Sequence, residues 1–361
     1  MRAERAARRV VGEVAADPQL GSPRLRLRDI AAVAGVSEAT VSRVLNDKPG
    51  VAKDTRQAVC AALDLLGYEW PRKLPRHRSG LVGLIVPELS NPVFPAFVQV
   101  IESALAHHGY TPILCTMTAG GVPEDEYVDM LMERGVNGII FVSAVHADMS
   151  ADHSRYRSLV QSGLPIILVN GYLAGLPVTS ISADEEAAMR VALNHLVALG
   201  HRNIGLATGP LRYRPSVLKR DAFVRTMKEL VQVDASGLVE VSFFTVEGGR
   251  AAALRLLNSH VTAIICANDL MALGAIRAVQ SRDLKVPDQL SVIGYDDSFL
   301  ISFTEPPLTT VRQPVRAMGE AAVRALLDEL KGVPIPHGEL LFHPELVVRG
   351  STGPALLAAD N

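Results

Sequence analysis

The sequence predicts an α/β protein: two doubly wound parallel-sheet lobes in series, preceded by a small all-α module. Three observations carry that prediction. Past residue 81, short β-rich runs bounded by turn residues occur at 81–86, 111–115, 138–142, 165–169, 203–207, 263–266 and 291–294. Between most of them lie helical patterns, at 95–108, 124–134, 184–199, 217–230, 248–258 and 269–280. Strands that alternate with helices and are apolar throughout imply parallel sheets covered on both faces. Second, there are more strand–helix units than one small doubly wound domain needs, so two lobes with a ligand cleft between them are expected. Third, the chain changes character near residue 80, where a basic, proline-containing stretch separates this body from three short helical pieces.

Taken in order, residues 1–24 show no sustained periodicity and contain Pro18, Gly21 and Pro23, so a disordered tail is expected there. Residues 25–71 form the all-α module, 72–80 a linker, and 81–351 the α/β core. The 361 residues are 48% hydrophobic and 20% charged, the balance of a globular protein long enough for several cores. No run approaches a membrane span, and no apolar leader follows the charged start Met1-Arg2-Ala3-Glu4-Arg5, which makes the cytoplasm the default. Cys60, Cys115 and Cys266 are too far apart for a disulfide framework or a zinc cluster and read as buried thiols. Charge is uneven: residues 1–80 carry 15 Lys/Arg against 9 Asp/Glu, and the rest 21 against 29. A basic end on an acidic body suits a chain that presents that end to phosphate, although charge alone fits a solvated tail equally well.

The most specific pattern is the helix-turn-helix from Leu27 to Asn46. Gly35 stands where a turn needs positive φ, and Ala31 is small where the second helix crosses. Ile30, Val36, Val41 and Val44 share the inward face, while Ser37 is a sound N-cap for the second helix. That helix leaves Glu38, Ala39, Thr40, Ser42 and Arg43 near its N-terminus, from which base edges in a major groove are reached. Arg43 suits guanine, and Ser42 and Thr40 suit phosphate or base. Glu38 fits either cytosine or the helix dipole. An ordinary αα-hairpin is the structural alternative.

The run Asp29-Ile30-Ala31, Ala34-Gly35-Val36-Ser37 and Thr40-Val41-Ser42-Arg43-Val44-Leu45-Asn46 resembles the N-terminal signature of the LacI/GalR repressor family. The likeness continues through Leu199-Gly200-His201-Arg202, Ala267-Asn268-Asp269, Ile293-Gly294-Tyr295-Asp296-Asp297 and Pro307-Leu308-Thr309-Thr310-Val311. Within the family, Gly83-Leu84-Ile85-Val86-Pro87-Glu88-Leu89 and Pro344-Glu345-Leu346-Val347-Val348-Arg349-Gly350-Ser351-Thr352 resemble phrases of actinobacterial repressors of maltose and α-amylase genes. The resemblance implies a homodimer on palindromic operator DNA, contacted through Arg28, Ser37, Glu38, Ala39, Thr40, Ser42, Arg43 and Asn46. It also implies a core like periplasmic sugar-binding proteins, with an N-lobe of about 81–181 and 314–342 and a C-lobe of about 182–313 and 343–351. Two departures stand out. Ala52 occupies a position where relatives cap the third helix with Ser, with Asp54 as a partial substitute. The hinge is about one helical turn short and carries Pro71 and Pro75. Leu74 then falls at the position of a minor-groove wedge, or is an apolar residue in a basic linker.

The resemblance places a sugar effector between the lobes, against Phe94, Asn170, Lys219, Asn268, Asp296 and Gln313. Polar groups at the C-terminal ends of strands are what such a cleft requires. Lys219 replaces a customary Arg and lacks its planar fork. Phe94 could instead be core, Gln313 could instead tie the crossover strands, and Asp297 is read as supporting the fold. The apolar stripe of Val98, Ile101 and Leu105 sits where relatives pair protomers, although such a stripe also suits a core. No cofactor, metal or enzymatic constellation is expected. Gly205 and Gly209 fit no phosphate-loop spacing, and His107, His108, His195 and His201 read as surface or capping residues. A solute-binding protein is the rival class, and release by an inducer or activation by a corepressor both remain open.

Overall fold

In the computed structural model, the described residues are 27–45, 51–52, 55, 58–59, 61–63, 66, 80–117 and 120–356. Asn46, Cys60, Leu74, the tail and the linker lie outside them, and with them the question of the hinge. The chain divides into two compact units, Met1–Arg76 and His77–Asn361.

In the first unit, α1 (Leu27–Ala34) and α2 (Glu38–Leu45) meet at Gly35. Its φ is +68° and an added Cβ would meet nothing within 4 Å, so the backbone conformation, not crowding, calls for glycine. The Ser37 hydroxyl accepts the Thr40 amide hydrogen at 3.2 Å and caps α2. Ile30, Ala31, Val41 and Val44 bury the joint together with Val59, Ala62 and Leu63 of a third helical stretch, and Val36 packs against them half-buried. Ala52 is exposed and outside any helix, and Asp54 lies outside the described residues.

The second unit holds two six-stranded sheets. The first runs β11-β5-β4-β3-β1-β2, from β1 (Gly80–Val86), β2 (Tyr110–Thr116), β3 (Gly138–Val142), β4 (Ile166–Val169), β5 (Thr179–Ala183) and β11 (Gly338–Phe342). All of its pairings are parallel. The second runs β12-β10-β9-β8-β6-β7, from β6 (Ile204–Thr208), β7 (Val239–Val241), β8 (Ala263–Cys266), β9 (Ser291–Tyr295), β10 (Thr309–Arg312) and β12 (Glu345–Val347). Its one antiparallel pairing is β12 on β10. Register explains the unbroken hydrophobic runs. Leu84, Ile140 and Ile167 align across one face of the first sheet, and Ile85, Phe141 and Leu168 across the other. Each row feeds a separate buried cluster, so every second residue has no face left for polar groups. The chain passes between the sheets after β5, after β10 and after β11.

One open reading closes and one expectation is corrected here. The stripe on α3 (Val93–His107) is core: Ile101 and Leu105 are fully buried against α10 (Val315–Leu330), with Val98 packed partly beside them. A helix sandwiched between a sheet and a neighbour has its apolar face consumed inside the lobe. His201 is neither surface nor cap. It is buried, its ring bonded to Thr262 Oγ1 at 2.9 Å, Ser291 Oγ at 3.0 Å and the Gly353 carbonyl at 3.0 Å, pinning the C-terminal segment beneath the second sheet. Cys115 and Cys266 are buried free thiols.

Candidate functional site

Between the two sheets lies a cavity of about 200 Å³. Phe94, Asn170, Lys219, Asn268, Asp296 and Gln313 all line it, although they come from separate segments of the two lobes. Their convergence follows from the topology. Strands β3, β4 and β9 end at the cleft, and the residues just beyond them, Ser143, Asn170 and Asp296, line it with φ of 44°, 59° and 110°. Positive φ at a residue other than glycine costs conformational energy that the surrounding structure must supply, a pattern common where side chains are aimed at a ligand.

Lys219, on α7 (Arg214–Val231), is buried, and its Nζ stands 2.7 Å from Glu185 Oε1 on α6 (Glu185–Ala198). The same Nζ lies 3.9 Å over the Tyr295 ring, whose hydroxyl donates to Glu185 Oε2 at 2.9 Å. An ammonium carries three donors, more than the bond to Glu185 uses, and Lys219 also lines the cavity. Beside it, Gln313 Nε2 donates to Asp296 Oδ1 at 2.6 Å. Burial, and next the neighbouring Asp269 carboxylate, push the Asp296 carboxyl well above the usual range. Asp269 is itself pushed up by burial to about 6, although Thr310 Oγ1 and the Ser298 amide both donate to it at 2.7 Å. Asn268 is partly committed: its Oδ1 caps α9 (Asp269–Gln280) through the Met271 amide at 2.8 Å, and its Nδ2 donates to the Phe244 carbonyl. Two buried acceptors on the cavity residues, Asn170 Oδ1 and Gln313 Oε1, have no protein partner.

The wall is aromatic. Tyr213 and Phe244 stand 6.2 Å apart, centroid to centroid. A Cβ on Gly209 would meet the Phe244 ring at 2.0 Å, so that glycine, which fits no phosphate-binding pattern, exists to seat an aromatic ring at the strand end. The segment around Tyr213 also clasps the opposite lobe. Arg212 pairs with Asp148 at 3.2 Å, and the Met149 amide donates to the Arg212 carbonyl at 2.8 Å. Arg214 grips Glu339 of β11 with two bonds of 2.8 and 2.9 Å. Asp297 accepts from Arg312 and Arg349 at 2.6 Å each, which ties down the crossover.

In the first unit, Ser37, Glu38, Ala39 and Arg43 are exposed along the start and one side of α2, with Thr40 and Ser42 half-buried. Arg28 is exposed on α1 and stands 3.6 Å from Asp29.

Residues 26–69 match the family described as bacterial regulatory proteins, lacI family, and residues 193–352 match a periplasmic binding protein-like domain. A transcriptional regulator of Streptomyces lividans, reg1, is 58% identical over 335 residues, covering 91% of this chain and 97% of its own. The regulator MalR of Streptomyces coelicolor is 57% identical over 334 residues with the same coverage. The chain belongs to the LacI family. It is therefore a DNA-binding transcriptional regulator, and its architecture agrees with solved LacI-family structures. A CelR regulator–cellobiose complex superposes with a TM-score of 0.69 at 30% identity, covering 91% of this chain and all of that one. A lac repressor dimer bound to operator and an anti-inducer gives 0.67 at 30% identity, with 91% and 99% covered.

Sequence reasoning missed Glu185, Tyr295, Tyr213 and Phe244 at this LacI-family cavity. Glu185 follows the capping Asp184, whose Oδ1 accepts the Ala187 amide at 3.0 Å, and an acidic first turn reads as ordinary dipole compensation. Tyr295 lies one residue past the run 291–294 read as a strand, and in the structure it closes β9. Among the described residues, no cluster of three or more His, Cys, Asp or Glu is placed to hold a metal, and no helix is long and apolar enough to cross a membrane.

Proposed function

We propose that the chain is a homodimeric repressor of carbohydrate-utilisation genes that binds a palindromic operator and is released by a sugar of the maltose or malto-oligosaccharide type. The observation that carries this reading is the convergence of Phe94, Asn170, Lys219, Asn268, Asp296 and Gln313 on one cavity between the lobes. Its chemistry suits a polyol. Unpartnered acceptors at Asn170 and Gln313 call for hydroxyl donors, since a buried acceptor left unmade costs about 1–3 kcal/mol. Tyr213, Phe244 and Phe94 supply the apolar faces against which a sugar ring packs. The maltose assignment draws on the similarity to MalR, and the sugar and operator classes on the CelR–cellobiose and lac repressor–operator structures.

On the DNA side, Arg43 with Ser42 and Thr40 is assigned to base and phosphate contacts, and Glu38, Ala39, Ser37 and Arg28 to the rest of the half-site. One helix-turn-helix reads too few bases for useful affinity, which favours a dimer with half-sites about one turn apart. Isothermal titration against maltose, maltodextrins and unrelated glucosides tests the effector. Saturable heat with the α-glucans alone is expected; no heat with any sugar at millimolar concentration contradicts the assignment.

A further inference from the structure

We infer that Glu185 is the charge-selecting residue of the cavity: by neutralising Lys219 it makes the site accept uncharged polyols and reject phosphorylated ones. This deepens the effector reading above and rests on it for the location of the site. Among the described residues lining the cavity, Lys219 is the one cation, set against the carboxyl groups of Glu88, Glu185 and Asp296. A lone buried ammonium at the end of a cleft would be an anion trap. Here its charge is spent before any ligand arrives, on a carboxylate 2.7 Å away that is itself buried. The ring face of Tyr295 at 3.9 Å holds the ammonium in place, and the Tyr295 hydroxyl holds Glu185.

The remaining polar atoms point the same way. The two buried cavity atoms without a protein partner, Asn170 Oδ1 and Gln313 Oε1, are both acceptors. A phosphomonoester dianion offers acceptors only, so it would face them with like partial charge and leave them unmade, and inorganic hydrogenphosphate brings a single donor on an anion. A hydroxyl offers one donor and satisfies them. Lys219 contributes position rather than net charge: its free N–H can donate to a hydroxyl, while the ion pair fixes where that donor stands.

Inorganic phosphate serves as a probe that does not depend on the sugar's identity. Thermal melting and calorimetry of the full-length protein are run in phosphate titrations on the wild type, Glu185→Gln, and Glu185→Gln with Lys219→Met. The amide in Glu185→Gln still accepts from Tyr295 but no longer cancels the ammonium. Expected is a saturable gain of phosphate affinity of roughly tenfold or more in Glu185→Gln, absent from the wild type and abolished in the double variant. In parallel, the wild type should prefer maltose over maltose 6′-phosphate, and Glu185→Gln should narrow that preference. A wild type that binds phosphate as well as Glu185→Gln does, or a gain that persists without Lys219, overturns the inference. A phosphate gain without binding of any sugar would support charge selection by Glu185 while contradicting the sugar reading.

Discussion

The second helix of the helix-turn-helix and the cavity hold their candidate side chains in opposite ways. On α2, Glu38, Ala39 and Arg43 are exposed, and what positions them is local: a glycine turn, a serine cap and three helical segments closing one small core. In the cavity, side chains are fixed by one another, with Lys219, Glu185 and Tyr295 in one closed set and Gln313 and Asp296 in a second. The helix-turn-helix thus presents exposed side chains on a locally determined frame. The cavity is a network in which each member is also structural, so a substitution there changes stability and specificity together.

The largest effect should therefore come from breaking the cavity network. Lys219→Met strands Glu185 as a buried, unpaired charge, and removal of one partner of such a pair costs about 3–5 kcal/mol. Chemical denaturation should show that loss; a stability change below about 1 kcal/mol, the range of exposed pairs, would mean the pair is solvated. On the reader, Arg43→Ala should leave stability unchanged yet cost about 1–3 kcal/mol of discrimination between operator and random DNA. Competition binding in graded salt checks this. Equal loss on both DNAs would reduce Arg43 to a phosphate contact.

A third prediction uses pH to separate the units. His146 lies in the first lobe, fully buried beside Phe141 and Tyr156, and burial pulls its pKa from 6.5 to about 3. The unfolded state binds this proton below pH 6.5 and the folded state does not, so the contribution is whole above pH 6.5 and is lost as pH falls toward 3. The slope should be about 1.4 kcal/mol per pH unit for one proton. His146→Phe should remove that slope from the α/β body in pH-dependent denaturation, and an unchanged slope would contradict the burial argument. The smallest effect is local: Ser37→Ala removes the cap of α2 and should lower stability of the first unit by about 1 kcal/mol, read by melting.

The same contrast explains what was legible in the sequence. The helix-turn-helix could be read to the residue because its determinants lie within a few positions of each other: Gly35, Ser37 and the apolar spacing Ile30, Val41, Val44. The central strands were legible because both faces are buried and their apolar runs are unbroken. Strand β5 was missed because it reads Thr179-Ser180-Ile181-Ser182-Ala183, polar yet buried. The edge strand β11 was missed because half-exposure leaves no clear alternation. At the cavity, the six expected residues came through family resemblance. Glu185 and Tyr295 did not, because only tertiary folding brings them to Lys219 and each has an innocent local reading.

On the proposed function, filling the cavity is expected to release the DNA. Fluorescence anisotropy of labelled operator, bound by the full-length protein and titrated with maltose and maltodextrins, tests it most directly. Saturable release is expected in the wild type, and a curve displaced to higher sugar concentration in Asn170→Ala, which removes one unpartnered acceptor. Unchanged anisotropy at sugar concentrations that saturate the cavity by calorimetry, or anisotropy that rises with sugar, would contradict it.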